Sequence, residues 1–496
     1  MARSLLKMKR IILLLLAAAL LAGCAPKQTE PRKKKPVELV EVETISVEAE
    51  SGALLGNASV AKSQEGFSGE GYVTGFKDSG DGVELTVYIP YGCHYDLAFY
   101  INSNGSYKEN KILIDGEKAA DVSTESKGFS ECLVQKIWIQ EGEHKISLTK
   151  GWGWVDFDRL EIRQSELLSN DIYSLSDELC NPNATKAAKS LYRYLISIYG
   201  SYTLSGQHST LGMASDEFDS IKQKTGKTPA LIEIDLSKVT TPYSEEYKKL
   251  DPYIDRAKQF DKEGGIVVFN WHWYAPEKYI LNSADQPWWR GFYAEAASIN
   301  LEKIMNGEDK EGLALLDEDI DIIAEALKAL QKKKIPVLFR PLHEASGGWF
   351  WWGASGAEPY KKLYIHLYDR LTNHHKLNNI IWVWNGDSAE WYPGDEYVDI
   401  VSTDIYADEH EYSTQINDFI AVGEASNGKK PVALSENGVQ IDPDLMERDN
   451  VYWLYFCTWG GDYCTADIYT SDEMFKKVFN SEQVLTLDEL PDWRKY

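Results

Sequence analysis

Two carboxylates stand where apolar runs of this chain stop. Glu344 closes Ile335-Pro-Val-Leu-Phe-Arg-Pro-Leu-His-Glu344, and Glu436 closes Lys430-Pro-Val-Ala-Leu-Ser-Glu436. Short apolar runs bounded by turn residues read as buried strands, so each acid sits at a strand tip. Two carboxyl groups facing one cleft can divide the work of splitting a glycosidic bond. One protonates the leaving oxygen and later activates water, while the other attacks the anomeric carbon. With retention of configuration the two must stand about 5–5.5 Å apart. Around Glu344 lie Arg340, His343, two glycines and Trp349-Phe-Trp-Trp352. Aromatic rings stack on the apolar faces of pyranoses, so an acid beside such rings suits sugar chemistry.

These acids need a scaffold that turns both tips to one side. From about Leu175 onward, helical stretches such as Asp317 to Lys332 alternate with short apolar runs, the signature of a parallel α/β fold. Candidate strands are Tyr202–Gln207, Ala230–Asp235, Gly265–His272, Pro336–Glu344, Ile380–Asn385, Val398–Tyr406, Pro431–Glu436 and Tyr452–Trp459. Eight strands in a region of this length fit a (β/α)8 TIM barrel, whose catalytic groups gather at the C-terminal strand ends. Trp271-His272, His343-Glu344, Trp384-Asn385, Tyr406 and Glu436 all sit at such ends. A doubly wound open sheet is the alternative, and no Gly-rich phosphate loop supports it.

From about Thr44 to Arg163 the texture differs. Alternating segments such as Val83–Ile89, Tyr95–Ile101 and His144–Leu148 are separated by turn clusters such as Asp78-Ser-Gly-Asp-Gly82, which predicts an all-β sandwich ahead of the barrel. The expected layout is a signal peptide over 1–23, a basic tether over 24–43, the sandwich over 44–163, a linker over 164–174 and the barrel over 175–496.

The first residues read as an address. Arg3, Lys7, Lys9 and Arg10 precede an apolar stretch from Ile11 to Leu21 that is short for a bilayer span. Leu21-Ala22-Gly23-Cys24 resembles the bacterial lipobox, and that resemblance implies lipidation of Cys24. Arg32-Lys-Lys-Lys35 adds attraction to anionic headgroups. The expectation is a bacterial cell-surface protein held to the membrane by lipid. A simple flexible linker accounts for the basic tail equally well.

The 496 residues carry a formal net charge of −25, which argues against nucleic acid as a partner and is compatible with a neutral polysaccharide. With 16 Trp, some rings are left over for binding after the core is filled. Beyond Cys24 an odd set of five cysteines remains, which cannot all pair internally. Cys93 with Cys132, and Cys457 with Cys464, are pairings the sequence leaves open. The segment after His343-Glu-Ala-Ser continues with Gly347, so the His-Glu-x-x-His of a zinc hydrolase is not formed. No cofactor is expected for catalysis, and a monomer is expected.

The motif Arg340-Pro-Leu-His-Glu344 with Gly-Gly-Trp-Phe-Trp-Trp-Gly353 resembles glycoside hydrolase family 26, mostly bacterial β-mannanases. So do Trp382-Val-Trp-Asn385, Trp391-Tyr-Pro-Gly-Asp395 with Tyr397-Val-Asp-Ile400, Ser435-Glu-Asn437 and the closing Leu485-Thr-Leu-Asp-Glu-Leu-Pro-Asp492. The resemblance runs from Leu175 to Tyr496. It implies an endo-acting, retaining mannanase with Glu344 as acid/base and Glu436 as nucleophile. It also implies that His343 orients the acid, that His272 contacts sugar at the cleavage point, and that Tyr406 hydrogen-bonds the nucleophile. Trp349 would line the site, and Trp459 would be the platform under the sugar attacked. A mixed-linkage β-glucanase or a β-1,3-xylanase is the alternative within the family. A surface glycan-binding protein without turnover is the alternative outside it, and binding alone needs no acid–nucleophile pair.

The front region is similar to carbohydrate-binding module family 35 through Val47-Glu-Ala-Glu50, the Gly66–Tyr72 turn and Gly153-Trp-Val-Asp-Phe-Asp-Arg-Leu-Glu-Ile162. That resemblance implies a structural calcium held by Glu48, Glu50 and Asp158, since oxygen donors suit this ion. It implies sugar contacts at Trp154 and Asp156. An inert spacer with Trp152 and Trp154 in its core is the competing expectation.

Overall fold

The computed structural model describes residues 40–210, 214–386 and 388–496. The signal segment, most of the basic tether and Cys24 lie outside them. The chain divides into two compact units, one running to Leu168 and one from Ser169 to Tyr496.

The second unit is built on eight parallel strands: β1 (Thr203–Ser209), β2 (Leu231–Asp235), β3 (Ile266–Trp271), β4 (Val337–Pro341), β5 (Ile380–Asn385), β6 (Ile400–Ile405), β7 (Val432–Asn437) and β8 (Tyr455–Thr458). Each pairs with the next, and β1 pairs with both β8 and β2, so the sheet closes into a barrel. All eight expected strands are present, with ends that differ from the expected ones by at most three residues. Closure explains their composition. Ile266–Trp271 and Ile380–Asn385 are buried at every position, because helices cover one face and the barrel interior the other. A strand buried on both faces has no use for alternation.

The outer helices show the complementary pattern. The helix Lys310–Lys332 begins where Asp309 caps the Gly312 N–H at 2.8 Å. It buries Leu316, Ile320, Ile323, Leu327 and Leu330, spaced three or four apart, and leaves its charged residues outside except Asp319, which is buried and accepts the Trp273 indole N–H at 2.9 Å. Fully burying one such side chain contributes about 2 kcal/mol, so this stripe is what holds the helix against the sheet.

The first unit is a sandwich of two antiparallel sheets, one of six strands and one of five. Cys93–Asn102, Ser130–Ile139, Gly142–Trp152 and Asp156–Gln164 are its longest strands. Val83, Leu85, Leu97, Phe99, Ile146, Phe157 and Leu160 alternate inward to make one core.

One expected boundary shifts, and two alternatives left open are decided. The stretch 164–174 is not linker throughout: Gln164 ends the last sandwich strand, and Tyr173 packs edge-on to Tyr199 in the second unit and donates to the carbonyl of Asn450 at 2.6 Å. Cys93, Cys132, Cys180, Cys457 and Cys464 are all free thiols. The pairs left open by the sequence do not form: in the sheet, Cys93 stands opposite Ile139 and Cys132 opposite Phe99. Trp152 and Trp154, 69% and 48% exposed, are not core, which removes the argument for an inert spacer.

Candidate active site

Glu344 stands just past the end of β4 on an unusual backbone. Leu342 and Glu344 both have left-handed φ, at 56° and 52°. Such a conformation costs a non-glycine residue on the order of 1 kcal/mol and persists only where its surroundings enforce it. Here Asn385, at the tip of β5, accepts the Glu344 N–H at 2.7 Å, and the Trp352 indole donates to the His343 carbonyl at 2.8 Å. The turn aims the carboxyl into the mouth of the barrel. Trp349 donates its indole N–H to Glu344 Oε2 at 3.0 Å.

Glu436, in β7, is 3% exposed. Arg340 Nη2 donates to its Oε1, and the Tyr406 hydroxyl, just past β6, donates to its Oε2 at 2.6 Å. Arg340 is fully buried and also reaches Glu233 Oε1 at 2.9 Å and Asp404 Oδ2 at 3.0 Å. One guanidinium thus serves three carboxylates. Glu344, Asp404 and Glu436 each bring a carboxylate oxygen to within 4.8 Å of the others.

The electrostatics separate the two glutamates. Burial, reinforced by the charge of Asp404, raises the Glu344 carboxyl to about 7, against the opposing pull of the Trp349 N–H and of Arg340. Burial also pushes Glu436 upward, and the Arg340 guanidinium beside it works against that push. Burial disfavours the Arg340 charge, but its three carboxylates outweigh this and hold it well above its ordinary value. A fixed cation and a hydroxyl donor favour the ionised form of Glu436, while Glu344, less buried but without an ion pair among the described residues, is raised by burial and by the charge of Asp404. That is the division needed between a nucleophile and an acid.

A second polar chain borders the first. His272 Nδ1 lies 2.9 Å from Asp235 Oδ2, and its Nε2 lies 3.0 Å from His343 Nε2. Burial opposes charge on His272, yet Asp235 raises it above the ordinary histidine value. His343, 1% exposed, is pushed well below that value by burial and by the neighbouring His272. His272 is the partly exposed ring of the pair. His343 is a buried support, not a surface for sugar.

The run Trp349–Trp352 also differs from the expected platform. Trp349 is 49% exposed, whereas Phe350, Trp351 and Trp352 are buried. Trp351 donates to the Trp273 carbonyl at 2.6 Å, so these rings form the wall that fixes the turn. Trp459, just beyond β8, is partly exposed and stacks on His208. An aromatic path leads away from His272 through Phe292, Tyr274 and Trp288 to Tyr243, with Trp289 exposed nearby.

Sequence reasoning missed Glu233, Asp235 and Asp404. The signal was available: Glu233 and Asp235 are two apart on β2, and Asp404 precedes Tyr406 by two, the spacing of one strand face.

In the sandwich, Trp154 is exposed but Asp156 is only 1% exposed. Gln64 donates to Asp156 and Asn102 donates to Gln64, which makes Asp156 part of an interior network beneath the loops. The expectation of a direct sugar contact at Asp156 is corrected accordingly. Glu48, Glu50 and Asp158 do gather around one loop. The Ser68 hydroxyl donates to Glu48 Oε2 at 2.7 Å and reaches Asp158 Oδ2 at 3.1 Å, and the Glu70 N–H donates to Glu50 Oε1 at 2.6 Å.

A closed parallel barrel with two glutamates meeting at its C-terminal mouth, one with its carboxyl raised to about 7, one beside a fixed cation, is the arrangement of a glycoside hydrolase. The description "Glycosyl hydrolase family 26" matches residues 180–489, "Carbohydrate binding module (family 35)" matches residues 45–165, and "Prokaryotic membrane lipoprotein lipid attachment site" matches residues 8–25. The chain belongs to glycosyl hydrolase family 26. It is similar to a mannan endo-1,4-beta-mannosidase of Thermothelomyces thermophilus, 37% identical over 482 residues that cover 97% of each chain. Among solved structures it resembles a GH26-CBM35 beta-(1,4)-mannanase of Podospora anserina, with TM-score 0.64 and 34% identity over 91% of this chain and 99% of the other. A ruminal GH26 endo-beta-1,4-mannanase matches with TM-score 0.69 and 26% identity, covering 92% and 99%.

Proposed function

We propose that this chain is a retaining, endo-acting β-1,4-mannanase of mannan, galactomannan or glucomannan, with Glu344 as acid/base and Glu436 as nucleophile. The observation that carries the reading is the approach of the two carboxylates to within 4.8 Å, near the ~5–5.5 Å of retaining pairs and short of the ~6.5–9.5 Å of inverting ones. In the first step Glu344 gives its proton to the glycosidic oxygen as that bond breaks, and a Glu436 oxygen bonds to the anomeric carbon. In the second, Glu344, now a carboxylate, takes a proton from water. The water oxygen bonds to the same carbon and Glu436 leaves. Tyr406 and Arg340 hold Glu436 in line, His272 faces the sugar with His343 behind it, and Trp349 and Trp459 border the cleft. The names of the relatives favour mannan. Reducing-sugar release from mannan, galactomannan, lichenan and xylan, with product sizes, tests the substrate: activity on lichenan or xylan alone would overturn it, and monomer as the first product would overturn endo action.

The sandwich, in this reading, holds polymer through Trp154. Calcium there fits the residues present: Glu50 Oε2 is buried without a hydrogen-bond partner, and Glu48 and Glu50 both crowd the space over Gly69. Asp158, fully buried, already accepts from the Ser68 N–H and from Arg159, so it has the least free acceptor capacity of the three. Bound calcium would tie these carboxylates to the Ser68–Glu70 loop. A lipid on Cys24 would keep the enzyme at a bacterial cell surface.

A further inference from the structure

The imidazole of His208, at the end of β1, lies almost flat against the indole of Trp459. The ring centroids are 4.0 Å apart and the planes differ by 26°. His208 is 6% exposed, so it has no face of its own to offer a ligand. Its Nδ1 stands 3.7 Å from Glu233 Oε2 on the side of the Arg340 cluster. The backbone under Trp459 is held separately. Gln207 Nε2 donates to the carbonyls of Thr458 and Trp459 at 3.0 and 3.2 Å, and the Trp459 N–H donates to the Asn437 carbonyl at 3.1 Å. These bonds fix where the Trp459 backbone stands but not the tilt of its ring. A second ring packed parallel to one face sets both side-chain torsions and leaves the other face as a plane.

We propose that His208 is a positioning residue for the sugar whose anomeric carbon is attacked, acting as the inner layer of a two-ring stack that keeps Trp459 flat beneath a pyranose. The inference rests on Trp459 being that platform. The planar ring of His208, not its nitrogens, carries the effect, so the role belongs to binding more than to bond cleavage.

The test measures mannotriose affinity by calorimetry in the full chain carrying Glu344→Gln, so that the sugar is not consumed. Trp459→Ala, His208→Gln and His208→Phe are compared in that background. Stacked aromatic pairs are worth enough to predict a roughly three- to tenfold weakening in His208→Gln. Trp459→Ala should weaken binding further, and His208→Phe, which keeps a planar ring, should stay within about twofold of the parent. If His208→Gln fails to fold cooperatively, His208→Met, which fills the space without a plane, replaces it. Unchanged affinity in His208→Gln, or equal losses in His208→Phe and His208→Gln, overturns the inference while the platform stands. Unchanged affinity in Trp459→Ala removes the platform and the inference with it.

Discussion

Trp349 donates its indole N–H to Oε2 of Glu344 at 3.0 Å, the one direct side-chain hydrogen bond found on that carboxyl among the described residues. A donor of this kind stabilises the ionised form, so it holds the acid below the value that burial alone would set. The alkaline limb of kcat/KM reports the acid of the free enzyme, and it should fall near pH 7. In Trp349→Phe the ring stays and the donor goes, so the limb should move to higher pH. A pH–rate profile of both proteins on one soluble substrate checks the sign. A limb that moves down would contradict the assignment.

Glu344→Ala should cost on the order of 10²- to 10⁴-fold on mannan, the usual contribution of a positioned general acid. On an aryl glycoside with a good leaving group the bond-breaking step needs no proton. The loss in that step should then be far smaller, as read by a burst of the aryl alcohol.

Glu436→Ala would remove the proposed nucleophile. Turnover should fall on the order of 10⁴-fold or more, while affinity for mannan oligosaccharides is retained. Calorimetry and reducing-sugar assays on the purified variant separate the two. Near wild-type turnover would take Glu436 out of the role.

How much of this site was legible beforehand depends on which side chains touched a pattern. Glu344 and Glu436 close apolar runs, and such runs become strand ends wherever helices cover a sheet, so their place at the barrel mouth followed. Closure was a matter of counting eight runs. The strand-face spacing of Glu233 and Asp235 was there to read but not their partners, because an acid in an apolar run does not announce what it meets: Glu233 meets Arg340 on β4, and Asp235 meets His272 just past β3. The same limit applies to Trp349–Trp352. Four adjacent rings look alike in sequence, and only the left-handed turn at Glu344 decides that Trp349 faces solvent while Trp351 and Trp352 become its wall.

Asp235 and His272 make a pH-dependent contribution to stability. The folded Asp235 carboxyl is lowered to about 2 because His272 outweighs the effect of burial, so its contribution is full above the ordinary aspartate value and fades as pH falls through about 2. His272 is raised, so its contribution is full below 6.5 and is lost as pH rises through its folded value. The pair is strongest between the two. Asp235→Asn should cost about 2 kcal/mol near pH 5.5, the loss of a charged hydrogen bond in a partly buried pair, and less near pH 9. Denaturant unfolding at both pH values reads the difference, and an equal or larger loss at the higher pH would contradict it.

Trp154→Ala should reduce retention on insoluble mannan with little change in turnover of soluble oligosaccharides, because the ring stands exposed on a unit whose fold does not use it. A pull-down on insoluble polymer beside a soluble assay checks both halves.

The central claim is that Glu344 and Glu436 act on one anomeric carbon in two successive displacements. Proton NMR of the first sugar released, recorded before mutarotation, tests it directly. The account predicts that the new reducing end appears as the β-anomer and later equilibrates. Initial release of the α-anomer would mean single displacement by water and would contradict it.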